Sequence, residues 1–222
     1  MKLTIVAATG GIGRQLLAQA IAAGHDVTAV VRNPASLSGQ PVHIVAADLA
    51  HADPGALRSA VEGADAVVSG LGARSAADNG VAWAGTRALV EAMRDAGVRR
   101  IVVVSAAPLG TVASPDRPNP PKHDPGDGFL MRHVGARFAR TAFRRHYADL
   151  ARMEDVLRGS GLDWTISRPP RLTNGPLTGA YRTATDRNVR GGWLVSRADV
   201  AHHMLHVLGD PGTIGHAIGI AS

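Results

Sequence analysis

The chain contains no cysteine. That excludes disulfides, thiolate metal centres and cysteine nucleophiles, and it is compatible with a reducing compartment, so a cytoplasmic location is the expectation. Lysine is nearly absent as well: Lys2 and Lys122 are the only two, and arginine supplies the rest of the positive charge. Aromatic residues make up 4% of the chain. No interleaved stacking aromatics accompany its basic segments and no recognised DNA-binding motif is present, so nucleic acid is not an expected partner. No apolar run is long enough to span a bilayer. The sequence enters its first strand without a charged-then-apolar leader, and no membrane partner is expected.

What is present is ordinary for a globular protein. The 222 residues are 45% hydrophobic and 19% charged, enough for one sizeable core. No internal repeat and no second composition regime divides them, so residues 1–222 are read as one domain, a monomer or a homodimer. The formal net charge is +6, from 24 basic and 18 acidic side chains. An arginine-dominated excess of this kind suits anionic ligands such as nucleotides.

The most informative stretch runs from Leu3 to Pro34. Leu3, Ile5 and Val6 form a short apolar run of the length of a buried parallel strand. Thr9, Gly10, Gly11, Ile12 and Gly13 interrupt it. Leu16, Leu17, Ala20 and Ile21 then recur at helical spacing up to Gly24, and Val27, Ala29, Val30 and Val31 make a second strand. A glycine-rich turn between a strand and a helix lets a phosphate approach the backbone and rest on the N–H groups of the helix N-terminus. The strand before, the helix after and the second strand beyond are the context a dinucleotide fingerprint requires. Ala7 stands where that fingerprint has its first glycine, and the expectation is that its methyl group is accommodated at negative φ.

The end of the second strand bears on which dinucleotide. An acidic residue there would hold the ribose hydroxyls of NAD. The chain has Val31-Arg32-Asn33 instead, and Asp26 lies at the wrong end of the strand. The planar fork of Arg32 suits a 2′-phosphate, which selects NADP(H).

Further along, Val42–Ala46 reads as a third strand leading to Asp48 and Leu49, beside the expected adenine pocket. Asp48 either bounds the adenine or serves a turn or helix cap. A short helix over Pro54–Glu62 precedes a fourth strand, Ala66–Ser69, which runs into Gly70-Leu71-Gly72; small residues there let a cofactor lie over the strand end. Val81–Ala96 reads as a helix with Trp83 as a packing residue. Ile101–Val104 is a fifth strand that delivers Ser105 at its carboxyl end, where open α/β sheets place ligands. Such alternation implies a doubly wound, mainly parallel sheet of order 3-2-1-4-5-6, the Rossmann arrangement.

Residues 109–146 depart from the pattern. Five prolines between Pro115 and Pro125 mark an irregular excursion over the active-site edge. A basic helical segment follows, with Arg132, Arg137, Arg140, Arg144 and Arg145 on its wet face. Asp163–Ser167 is a sixth strand followed by Arg168-Pro169-Pro170-Arg171. Short strands over Tyr181–Thr185 and Trp193–Val195, a helix capped by Ser196 with Asp199 three residues on, and a last edge strand over Ile214–Ile220 complete the reading. His202 and His206 lie four apart on that helix, but no glutamate follows His202 and no third ligand is evident, so no metal site is assigned.

The motifs Ala8-Thr9-Gly10-Gly11-Ile12-Gly13, Gly24-His25-Asp26-Val27-Thr28, Val31-Arg32, the SGLDWT run from Ser160, Arg168-Pro169-Pro170 and Pro176-Leu177-Thr178-Gly179-Ala180-Tyr181 carry a family resemblance. On them the chain resembles the atypical short-chain dehydrogenase/reductases of the NmrA-like group, and within it the flavin reductases of the biliverdin reductase B type. The resemblance covers most of the chain outside roughly residues 111–146. It implies NADPH over the first turn, contacted by Thr9 to Gly13, Gly70 to Gly72, Pro169 and Pro170. It places Arg32 at the 2′-phosphate and Ser105 near the nicotinamide. It implies hydride transfer to a flavin or related planar acceptor, with flavin as substrate. Arg171 stands where those reductases have histidine.

Short-chain dehydrogenases use a Tyr-x-x-x-Lys pair as general acid, and this chain has none: Tyr147 is followed four residues later by Ala151, and Tyr181 by Thr185. Simple ketone reduction therefore lacks its proton donor, whereas flavin or quinone reduction needs mainly that donor and acceptor be stacked within reach. Ser105 and Arg171 are the candidate catalytic residues, Ser105 orienting carboxamide or acceptor and Arg171 either holding an acceptor's anionic group or pairing at the surface. The alternative is a non-catalytic NADP(H)-sensing regulator of the NmrA-like type, which the missing Tyr-Lys pair favours.

Overall fold

The computed structural model describes residues 1–73, 75, 78–127 and 144–222. Its strands are β1 (Lys2–Val6), β2 (Asp26–Val31), β3 (His43–Ala46), β4 (Ala66–Ser69), β5 (Arg100–Val104), β6 (Asp163–Arg168), β7 (Arg171–Thr173), β8 (Arg182–Thr185), β9 (Leu194–Ser196) and β10 (His216–Ala221). The helices are α1 (Gly11–Ala22), α2 (Pro54–Val61), α3 (Val81–Asp95), α4 (Arg144–Arg158) and α5 (Arg197–His206). Arg132, Arg137 and Arg140 lie outside the described residues; Arg144 and Arg145 open α4 and are exposed.

Eight strands form one sheet in the order β3-β2-β1-β4-β5-β6-β10-β8. The first six run parallel in the expected 3-2-1-4-5-6 order, with Ile5 of β1 opposite Ala29 of β2 on one side and Val68 of β4 on the other. The interior strands are near-continuous apolar runs because helices cover both faces. On one face α1 packs against α5 around Leu16, Leu17, Ala20, Val200 and Met204. On the other α2, α3 and α4 close over Leu57, Leu89, Met93, Met153 and Leu157. The crossovers between parallel strands require this two-sided cover.

The last strand differs from its expected place. β10 is not an edge: it pairs parallel with β6 and antiparallel with β8, which takes the edge instead. Ala217, Ile218, Ile220 and Ala221 are all buried, as a strand with neighbours on both sides demands. The expected strands near Tyr181 and Trp193 form, but they part company. β8 joins the main sheet, whereas β9 pairs with β7 in a separate two-stranded parallel ribbon. The Ser196 hydroxyl caps α5 by accepting from the Asp199 N–H at 2.9 Å, as the sequence implied. Trp83 is half-buried, with the guanidiniums of Arg87 and Arg152 4.9 and 5.9 Å from its ring centroid.

Candidate active site

The glycine turn joins β1 to α1 at the carboxyl edge of the sheet. Gly10 caps α1 with no side-chain hydrogen bond, and no acidic residue occupies the first turn. With no side chain capping them, the amides at this helix start have the arrangement that suits an anion, reinforced by the helix dipole. Gly13 is required sterically: a Cβ there would sit 2.1 Å from the Ala7 carbonyl oxygen, whereas one on Gly11 would meet only the movable side chain of Arg197, Nε at 2.7 Å. Ala7 overturns the expectation of negative φ: it adopts φ 57, in the left-handed region, so the turn keeps its glycine-like geometry with a methyl group attached.

Two adjoining cavities form a cleft along this edge. One end, about 60 Å³, is bordered by Thr9, Arg32, Asp48, Leu49, Gly72 and Asp78. The other, about 220 Å³, is bordered by Gly10, Gly11, Ile12, Ser105, His146 and Arg197 among others. Ala7, Leu71 and Gly72 border both. The fold thus brings together Thr9, Gly10, Gly11, Ile12, Arg32, Asp48, Leu49, Gly70, Leu71, Gly72 and Ser105, with Gly13 packed behind the turn. Arg32 is exposed and Nη1 lies 3.4 Å from Oδ1 of Asp78. Asp48 is exposed, and Oδ1 accepts from the Ala50 N–H at 3.2 Å, so it is a turn aspartate on the cleft border.

Three anticipated residues do not line the cleft. Pro169 is buried and its carbonyl accepts from the Ala107 N–H at 2.9 Å. Pro170 borders a different, small cavity with Trp193. Arg171 is exposed on β7, and the period-2 alternation of that strand turns Leu172 into the cleft instead.

Ser105 directly follows β5 and is buried. Its hydroxyl donates to Oε1 of Glu154 at 2.7 Å. Glu154, on α4, is fully buried and also receives Arg168 through both guanidinium arms and Arg158 at 2.7 Å. Burial acts to raise the Glu154 pKa, but Arg168, Arg158 and the Ser105 hydroxyl outweigh it and hold the carboxyl below its ordinary value. Glu154 is thus ionised and purely an acceptor, and the single hydroxyl proton of Ser105 is committed to it. Toward the cleft Ser105 can offer only lone pairs.

Residues beyond the sequence reading complete the cleft. Arg197, at the first position of α5, lies over Gly11 and donates to Asn174 at 2.7 Å. His146, from the first turn of α4, borders the Ser105 end with Leu150. Asp78 faces Arg32 and also accepts from the Ser75 N–H and hydroxyl. No local motif marks these three; only the fold brings them near residues far away in sequence. His202 shares a 2.8 Å hydrogen bond with Tyr181 and stacks on His206. Among the described residues no cluster of histidine and acidic side chains could hold a metal ion, and no helix is long and apolar enough to cross a membrane.

A family model described as NAD(P)H-binding matches residues 7–211. The chain belongs to this NAD(P)H-binding family. Among the family's relatives, a Bacillus subtilis protein named as the uncharacterised sugar epimerase YhfK is 30% identical over 228 residues, covering 99% of this chain and 94% of its own. Another from the same organism, YwnB, is 28% identical over 95% of this chain and 93% of its own. The Rossmann fold is shared with solved structures. The short-chain dehydrogenase/reductase of Veillonella parvula crystallised with NADP superposes with a TM-score of 0.74 at 21% identity, over 100% of this chain and 94% of that one. ChuY, an anaerobilin reductase of Escherichia coli O157:H7, superposes with a TM-score of 0.75 at 23% identity, over 99% and 97%. The chain thus belongs to an NAD(P)H-binding family and has a Rossmann fold, and the glycine turn, its uncapped helix and the adjoining cleft fit such a dinucleotide.

Proposed function

We propose that this protein is an NADPH-dependent reductase acting on a flavin-like or quinone-like small molecule. The observation that carries the proposal is the pair of adjoining cavities, sharing Ala7, Leu71 and Gly72, that have Arg32 at one end and the uncapped start of α1 and Ser105 at the other. Bound there, NADPH would supply a hydride. Arg32 holds the 2′-phosphate, for which its partner Asp78 must yield. The α1 amides and Arg197 hold the pyrophosphate. Asp48 and Leu49 border the adenine, and Gly70 to Gly72 form the floor. Ser105 accepts from a ligand N–H, such as that of the carboxamide or of a flavin imide. Arg171, exposed on β7, has no part in this arrangement. The reductase names among the structural neighbours and the family resemblance support an electron-poor ring as acceptor, and flavin enters as substrate.

The test follows NADPH absorbance with and without FMN, riboflavin or a quinone. Saturable, acceptor-dependent oxidation is expected; saturable binding without turnover on any acceptor would favour the sensing regulator. For cofactor choice, Arg32→Asp should weaken NADPH binding about 30-fold or more, since a charge-assisted contact of about 2 kcal/mol is lost and a like charge gained. NADH binding should be kept or improved. Equal affinity of the wild type for both cofactors, measured by calorimetry, would refute the assignment.

A further inference from the structure

Reduction of a quinone needs a proton as well as a hydride, and Ser105 cannot supply it. Its hydroxyl proton is given to Glu154 at 2.7 Å, and that carboxylate is fixed by Arg168 and Arg158. Arg197 borders the same end of the cleft, but a guanidinium does not release its proton in a protein. The phenol-lysine pair of the short-chain dehydrogenases is missing. Yet the cleft-facing side of α4 keeps its i, i+4 spacing, with His146 at the first position and Leu150 at the second. Among the described residues bordering this end, His146 is the one group that exchanges a proton near neutral pH.

Resting on the reductase reading, we propose that His146 is the proton donor to the acceptor's oxygen. For a quinone, NADPH, quinone and one proton give NADP+ and hydroquinone. The cofactor is oxidised and supplies the hydride; His146 gives its ring proton to the oxygen on which negative charge develops, and the neutral imidazole regains a proton from water. Leu150, one turn on, keeps that corner apolar and disfavours water as a competing donor.

The polar groups that border the same cavity as His146 are Ser105, just past β5, and Arg197 on α5, with Leu150 and Leu172 among the apolar ones. On its own helix, exposed Arg144 and Arg145 precede it, Tyr147 lies alongside with ring centroids 5.9 Å apart, and Asp149 is three residues on. Burial lowers the imidazole pKa below 6.5, and Asp149 opposes the shift. The donating form is therefore the minority form at neutral pH, and turnover that depends on it rises as the solution is acidified.

The test compares His146→Gln with wild type on two acceptors. Hydride addition to FMN leaves an anion delocalised over the ring system, with no immediate need of a proton; a naphthoquinone needs one. A general acid contributes roughly 100-fold or more. The variant should lose about that factor in kcat with the naphthoquinone, less than about threefold with FMN, and keep its NADPH affinity by fluorescence titration. The acid-side rise of quinone turnover should vanish in the variant. A second readout needs no cofactor: in nitrogen-15 histidine spectra of the free protein, naphthol should perturb the imidazole signals that disappear in His146→Gln. Equal losses on both acceptors, an unchanged pH profile, or naphthol binding that leaves those signals untouched would overturn the assignment of His146 alone. A wild type that oxidises NADPH with neither acceptor would overturn the reductase reading, and this assignment with it.

Discussion

Ala7 is the residue on which the cofactor turn is most strained. An alanine at φ 57 carries a cost of about 1 kcal/mol that glycine would not. The turn is locked around it: the Gly10 N–H donates to the Ala7 carbonyl at 2.8 Å, and Gly13 lies against the same oxygen. Ala7→Gly should therefore stabilise the protein by about 0.5 kcal/mol once the added freedom of the unfolded chain is counted, seen as a higher urea midpoint at unchanged slope. An unchanged or lower midpoint would mean the methyl group contributes packing that offsets the strain. The position of Ala7 was legible in the sequence and its backbone was not, because a neighbour several residues away decides it. Arg171 is the opposite case. Its charge stood out next to Pro169 and Pro170, but a strand alternates its side chains, and which face turned to the cleft depended on the partner strand β9.

At the scale of elements, α4 and β6 are tied by charge. Glu154 of α4 meets Arg168 of β6 through both arms and accepts from Ser105, just past β5, and all three are buried. Breaking such a pair leaves an uncompensated buried charge. Glu154→Gln should lower stability by about 3 kcal/mol, read by thermal unfolding at neutral pH. A loss under 1 kcal/mol would mean that Arg168 finds compensation elsewhere; Asp124 and Asp186 contribute favourably to its charge. The strands themselves were readable, since apolar runs bounded by glycine and charge are what a two-sided parallel sheet requires. The tie was not: nothing in the spacing of Ser105, Glu154 and Arg168 foretells that three elements converge. For the same reason β10 read as an edge, although its apolar residues already asked for neighbours on both sides.

For the whole molecule, His203 is the imidazole on which acid stability depends most. It is buried on α5, 3.3 Å from the Ser167 hydroxyl of β6 and edge-on to Tyr181. Burial first, and then the nearby His206 and His202, push its pKa down to about 4. The unfolded chain takes up this proton near pH 6.5 and the folded one only near 4. Stability is thus full above the unfolded value and falls as pH drops through the window between the two, by roughly 3 kcal/mol at most. Urea midpoints taken across that window should show the decline, and His203→Gln should remove most of it, leaving the smaller part due to His146 and His25. A wild-type profile as flat as the variant's would mean the imidazole is hydrated in the native state.

The β7–β9 ribbon carries Leu172 into the cleft and leads directly into Arg197, while its ladder is separate from that of the eight-stranded sheet. Residues 171–173 and 194–196 thus make up a small unit of their own on the cleft border, while β8, between them in sequence, belongs to the main sheet. Exchanging those two short strands for a relative's would change the shape and polarity offered to an incoming molecule and leave the main sheet, the glycine turn and Arg32 as they are, a route by which one scaffold can be retuned to new chemistry without relearning how to fold.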